Sequence, residues 1–478
     1  FHCSGSGGAI ARCLRQALAS NHPRRCKSIV RRRIERATTE FDLTAGRRST
    51  SARQRLYACG WPVTGALGIA RFAQPTPGRP LREQVLAPAR LAELSSRGLS
   101  VVDGAAGYGF TLLACRRGAN RGILMACGAN NDGQLGPLQT RVSDGADPAQ
   151  DILLSSSLNS SSSGVARHRL VLRPTQVRLP VHPAELASGR YRLLRLSAGR
   201  AHSLLVTSHG AYAFGNNAFG QCGRPAGGES AAVARLALPC PPESVQRLVC
   251  GQDSTYLLTA DGRVYSCGLG ADGQLGLGGF DNSDRFQLVD VGAPVADLAC
   301  RADTVLALGE DGCVYGWGNS EYGQLGTDAL QVDRPIRLDH VMHSVLSANQ
   351  QVDRVAAAGS MCALLTRCGR VWVWGYGRLG LGPDVTQLAE PRPIPDGLFG
   401  RTQLAKDVRI VQLDAGMYHF AAVTNSGSLY TWGDQRSGSL GLGHDDNQCF
   451  PLQVSLACRV QWTRCGVDHT IICGTAFA

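Results

Sequence analysis

Val314-Tyr-Gly-Trp-Gly-Asn-Ser-Glu-Tyr-Gly-Gln-Leu-Gly326 reads as a short apolar strand ending in an aromatic residue and Gly, then a polar turn, then G-x-L-G. The same order returns at Tyr57-Ala-Cys-Gly60 with Gly65-Ala-Leu-Gly68, and in the stretches Met125 to Gly136, Tyr212 to Gly223 and Val264 to Gly276. Val371 to Gly380 and Leu429 to Gly441 complete seven copies. Their hinge glycines are Gly60, Gly128, Gly215, Gly268, Gly318, Gly375 and Gly433, with steps of 68, 87, 53, 50, 57 and 58 residues. A period of 50 to 58 residues holds about four short strands, the size of a propeller blade.

A second motif alternates with the first: a Gly, a polar triplet and an apolar run. It stands at Gly107 to Leu113, Gly199 to Leu205, Gly251 to Leu257, Gly359 to Leu365, Gly416 to Ala422 and Gly466 to Ile472, and once with Arg301 in place of the Gly. Turns such as Ala260-Asp-Gly262 and Asn425-Ser-Gly427 then lead into the next strand as hairpin loops. The chain opens on a first motif and ends on a second, so the two together make one blade. The expected fold is all-β, a seven-bladed β-propeller closed by pairing of its N- and C-terminal strands, which removes open sheet edges. The Trp or Tyr should fill the space between blades, and Gly should serve where a Cβ would clash.

The formal net charge of +12 is unevenly spread: residues 1–50 carry 11 Arg or Lys against 3 acids, and the other 428 carry 38 against 34. The first 36 residues include Arg12, Arg15, Arg24, Arg25, Lys27 and Arg31 to Arg33, with no acid before Glu35. Arg-rich, acid-poor and Ser-containing describes an organellar transit segment; a basic arm touching RNA, or a nuclear-import run, is the alternative. The domain reading is therefore 1–50 basic and transit-like and 51–478 propeller, with a low-complexity insertion near 137–190 that includes the serine run 155–164. No window is apolar and long enough for a membrane-spanning helix, which leaves peripheral association open. The 18 cysteines form no C-x-x-C pair, and several directly precede a motif Gly, so they read as small strand residues and not as disulfides or zinc ligands.

The paired motifs resemble the regulator-of-chromosome-condensation repeat, over residues 57 to 474. Gly107-Tyr-Gly-Phe-Thr-Leu-Leu113, Gly316-Trp-Gly-Asn-Ser-Glu-Tyr322, Val373-Trp-Gly-Tyr376 and Cys465-Gly-Val-Asp-His469 resemble the mitochondrial branch of that family more closely. The resemblance implies a mitochondrial scaffold, in the matrix or at the inner membrane, that supports large-subunit ribosomal RNA and mitoribosome assembly with pseudouridine synthases as partners. It also implies guanine-nucleotide exchange on the dynamin-related GTPase of inner-membrane fusion. A generic propeller adaptor, or an exchange factor at chromatin, is the alternative, since a fold does not fix a function.

No P-loop, G-x-S-x-G elbow, H-E-x-x-H or dinucleotide fingerprint appears, so no catalytic residue, metal or cofactor is expected. An exchange factor needs no nucleophile; it binds the nucleotide-free GTPase more tightly than the loaded one. By resemblance the partner-binding face carries the polar residues of the second motif, here His202, Asp253, Asp303, His419, Asp468 and His469. Two readings stand for each: partner contact, or a bond to a neighbouring blade. Arg301 for Gly, Ser254 where a His often stands, and the uncharged Ser360 to Cys362 depart from the family pattern.

Overall fold

Alternating strands and turns fold the chain into seven separate antiparallel sheets. The computed structural model describes residues 54–477 except 74–82, 119, 140–151, 155–167, 182–183, 185–190 and 227–232. The basic segment 1–50 and the serine run lie outside the described residues, and the 137–190 insertion is described only in part. Blade 1 runs from its inner strand Ser100–Ala106 through Phe110–Arg117, Asn120–Ala129 and His168–Gln176 to an added edge strand, Ile152–Leu154. Blades 2 to 6 have four strands each and begin at Leu193–Ala198, Val245–Cys250, Val295–Cys300, Val352–Ala357 and Ile410–Ala415.

Blade 7 closes the ring as the unpaired motifs predict. Gln54–Gly60 runs antiparallel to His469–Ala476, in register from Gln54 opposite Thr475 to Gly60 opposite His469, with Cys458–Cys465 inside and Val85–Arg90 outside. The seven inner strands contact one another in an unbroken cycle around the central channel. Arginines and acids of these strands pair around the channel: Arg247 with Asp297 at 2.8 Å and Arg464 with Asp103 at 2.5 Å.

Backbone proximity explains the hinge glycines. Each lies at the end of its blade's third strand, with φ between +92° and +129°. A Cβ there would stand 2.0 to 2.5 Å from the carbonyl oxygen of the residue before the second strand, such as Asp303 O at Gly318. No side chain fits at that distance, and the positive φ disfavours one as well.

Between blades the same backbone carbonyl is reached in two ways. It belongs to the second residue of G-x-L-G, and a hydrogen-bond donor from the following blade meets it at six of the seven junctions. Where the residue before the hinge Gly is Cys or Phe, a hydroxyl of the second strand donates: Thr111 to Ala66 O, Ser203 to Gln134 O, Thr255 to Gln221 O and Thr470 to Ser439 O, at 2.6–2.8 Å. Where it is Trp, the indole donates instead: Trp317 Nε1 to Gln274 O and Trp374 Nε1 to Gln324 O, each at 2.8 Å. At the remaining junction Trp432 packs against Gly380 without that bond. Trp317, Trp374, Trp432 and Phe214 are fully buried, as are the Leu residues of G-x-L-G.

Three of these hydroxyls are clamped by a histidine of the preceding blade. His202 Nε2 lies 3.1 Å from Thr255 Oγ1, His419 Nε2 2.9 Å from Thr470 Oγ1, and His469 Nε2 2.8 Å from Thr111 Oγ1. Thr255 and Thr470 use their single protons on the carbonyls, so His202 and His419 donate from Nε2 and leave Nδ1 bare. The ring of each folds back over the Gly three residues earlier, where a Cβ would lie 2.2 Å from His202 Cε1 or 2.4 Å from His419 Cε1. The spacing of Gly-x-x-His is thus a packing requirement.

Burial lowers the pKa of His202 and of His419 to about 3, below the ordinary value of 6.5. The unfolded chain binds these protons below pH 6.5 and the folded chain does not, so stability is full above about 6.5 and falls as pH drops toward 3. Urea denaturation at pH 7 and pH 5 should show a loss of about 1–2 kcal/mol per histidine. Replacing both with Asn should flatten that part of the pH dependence; an unchanged slope would contradict the clamp.

Candidate docking face

Antiparallel order sends every loop between first and second strands, and between third and fourth strands, to one end of the ring. The hairpin turns and blade connections lie at the other. Both sequence motifs therefore place their polar residues on a single face around the channel mouth.

The structure divides the six expected site residues. His202, His419 and His469 are 0 % exposed and sit inside the blade junctions. This corrects their expected place on a partner-binding face: the Gly three residues earlier draws each ring inward, where no partner can touch it. The acids lie nearer the surface. Asp253, only 4 % exposed, is 2.6 Å from Arg200 and accepts from Gln221 Nε2 at 3.3 Å. Asp468 accepts from Gly109 N at 3.2 Å and from His469 Nδ1 at 2.8 Å. Asp303 accepts from Gln274 Nε2 at 3.3 Å; burial, with Asp272 nearby, pushes its carboxyl up to about 6.

Among the described residues, the free charge of the loops on this face is mainly negative. Its arginines are mostly engaged: Arg200 on Asp253, Arg378 on Asp434 at 2.7 Å, and Arg436 stacked 3.7 Å over Tyr418. Asp281, Glu321, Asp328 and Asp384 are exposed carboxylates with no arginine partner among the described residues. Exposed aromatics interleave with them: Trp61, Phe280, and a stacked pair, Tyr322 and Tyr376, with centroids 4.8 Å apart. The sequence reading did not single out these residues as site candidates. They occupy the variable positions of the turns, which the repeat leaves unconstrained. Among the described residues, no cluster of His, Cys, Asp or Glu could hold a metal.

Arg301 occupies the centre of the face. In its blade Thr304 stands where a His or Phe ring folds back elsewhere, so no ring excludes a side chain three residues earlier. The guanidinium crosses the channel mouth and donates to three blades: Nε to Ala415 O at 3.1 Å, Nη1 to Ala106 O at 3.2 Å and Nη2 to Cys465 O at 2.5 Å. These carbonyls end the inner strands of blades 6, 1 and 7, so Arg301 ties the closing blade and both its neighbours to blade 4. Arg301→Gly, which restores the repeat's usual residue, should cost about 2–3 kcal/mol in chemical denaturation. Arg301→Lys should recover only part, because it lacks the fork. A loss within the error of the measurement would contradict the tie.

Comparison with known proteins agrees with this geometry. The RCC1-like domain profile matches residues 55–472. The chain is 37% identical over 470 residues to the RCC1-like G exchanging factor-like protein of Mus musculus, covering 94% of each. It is 36% identical over 451 residues to the protein of that name from Homo sapiens, covering 90% of this chain and 89% of that one. The crystal structure of human WBSCR16 superposes with a TM-score of 0.74 at 35% identity, covering 89% of this chain and all of that one. Yeast RCC1 (Prp20), solved bound to Kap60, shares the fold with a TM-score of 0.66 at 19% identity, over 89% of this chain and 90% of that one. With seven blades and a profile match across nearly the whole described ring, the chain belongs to the RCC1-like domain family.

Proposed function

We propose that the protein is a guanine-nucleotide exchange factor, or a docking adaptor, for a GTPase, and that it engages its partner through the acidic face. The observation that carries this reading is the exposed carboxylates of that face, unpaired among the described residues, around a mouth held by Arg301. Such a surface repels phosphate backbones and attracts a basic protein surface. The names of the two mammalian relatives agree with an exchange role. The proposed partner is the dynamin-related GTPase of mitochondrial inner-membrane fusion, and the proposed location is the mitochondrion, in the matrix or peripherally at the inner membrane. No helix among the described residues is long and apolar enough to cross a membrane.

A second reading is support of mitochondrial large-subunit ribosomal RNA together with pseudouridine synthases. It draws on the basic residues 1–50, which carry 11 Arg or Lys against 3 acids. It ranks second because the docking face is wrongly charged for RNA.

Stopped-flow release of a fluorescent guanine nucleotide from the purified GTPase tests the first reading. The intact protein should accelerate release, and the acceleration should weaken as salt shortens the screening length toward about 10 Å at 0.1 M. Asp328→Lys with Glu321→Lys should reduce it about tenfold or more, chiefly through slower association. No acceleration by the wild-type protein would overturn the exchange reading.

A further inference from the structure

We infer that the stacked pair Tyr322 and Tyr376 is an anchor for a Lys- or Arg-bearing segment of a protein partner. The inference rests on the docking-face reading above and names the chemistry of one contact within it. The two rings come from different blades: Tyr322 from the turn after the third strand of blade 4, Tyr376 from the end of the third strand of blade 5. They lie nearly parallel, 10° apart, and remain 39 % and 44 % exposed. Two large aromatic side chains stacked face to face across a junction hold each other in place, so the exposed remainder of the pair is a rigid aromatic surface that costs little ordering entropy on binding.

The platform is held from below. Tyr322 N donates to Gln324 Oε1 at 2.9 Å, and Gln324 Nε2 donates to Thr304 Oγ1 at 3.0 Å. Ser360 Oγ donates to Tyr376 O at 2.8 Å, and Tyr376 N donates to Ser360 O at 2.9 Å. The turns are therefore fixed by the same junction that receives Trp374.

Charge selects the occupant. Glu321 adjoins Tyr322 in the chain and Asp384 stands in the loop that follows Tyr376; both are exposed, and neither has an arginine partner among the described residues. Arg378, the nearest basic residue in sequence, is held by Asp434, and Arg301 is turned into the channel. Where arginines stack on rings among the described residues, they choose Phe72, Tyr418 and Trp462, and this pair stays bare. An exposed aromatic pair with one carboxylate beside it in the chain and another on the following loop favours a cation lying on the ring. A nucleic-acid base would stack equally well, but its phosphates would meet Glu321 and Asp384.

Photo-crosslinking in cells tests this with the full chain, using Tyr376→benzoylphenylalanine and, as a control on the opposite end of the ring, Leu404→benzoylphenylalanine. The position-376 probe should yield crosslinked protein peptides that carry Lys or Arg at the attachment site. Glu321→Gln with Asp384→Asn should lower that yield about tenfold. Crosslinks to RNA, crosslinks to peptides without a cationic residue, a yield indifferent to the neutralised acids, or a yield no greater than at position 404 would each overturn the anchor. The two proposals separate cleanly. Cationic crosslinks to a protein that is not a GTPase keep the anchor and remove the exchange reading, whereas accelerated nucleotide release without such crosslinks does the reverse.

Discussion

One backbone carbonyl per blade organises the ring. At six of the seven junctions the second residue of the G-x-L-G turn, itself buried, points its oxygen at the following blade, where an unmet acceptor is costly. The next blade answers with a Thr or Ser hydroxyl from its second strand or with a Trp indole from its third. The choice is coupled to the residue before the hinge Gly. Cys and Phe leave the hydroxyl to reach the carbonyl, and Trp317 and Trp374 bring their own donor. Two solutions to one constraint account for Cys-Gly and Phe-Gly at four junctions and Trp-Gly at two, and for Cys59, Cys127 and Cys267 as small residues of packed strands.

From that constraint the other features follow in order. Hydroxyl junctions at His202, His419 and His469 gain a clamp, and the clamp needs a bare Gly three residues earlier to accommodate the ring. Blade 4 has no ring to accommodate, which frees the position for Arg301. The arginine reaches across the channel to the blade where the first and last described strands pair, and to both its neighbours. A departure from the repeat thus braces its closure, and it does so at the centre of the face that the polar loops surround.

The fold was legible because repetition records what packing demands. Seven hinge glycines, each within 2.5 Å of a carbonyl if given a Cβ, leave no freedom of sequence, so the period, the blade number and the closing strand pair could all be read directly. The site was only partly legible for the same reason. His202, His419 and His469 recur because junctions need them, and recurrence made them look like a binding surface. Asp253, Asp303 and Asp468 do reach the face but are committed to Arg200, Gln274 and Gly109. The residues that give the face its free charge and its aromatic platform, Glu321, Tyr322, Tyr376 and Asp384, sit where the repeat imposes nothing. Only three-dimensional placement brings them together.

The central claim is that this braced, acidic end of the ring is the working surface. Hydrogen–deuterium exchange of the intact protein, alone and with the nucleotide-free GTPase, tests it most directly. The account predicts added protection in the loops 251–253, 301–303 and 319–323, with none in the hairpin turns 260–263 and 367–370. Protection confined to those hairpin turns would place the partner on the opposite end and contradict the account.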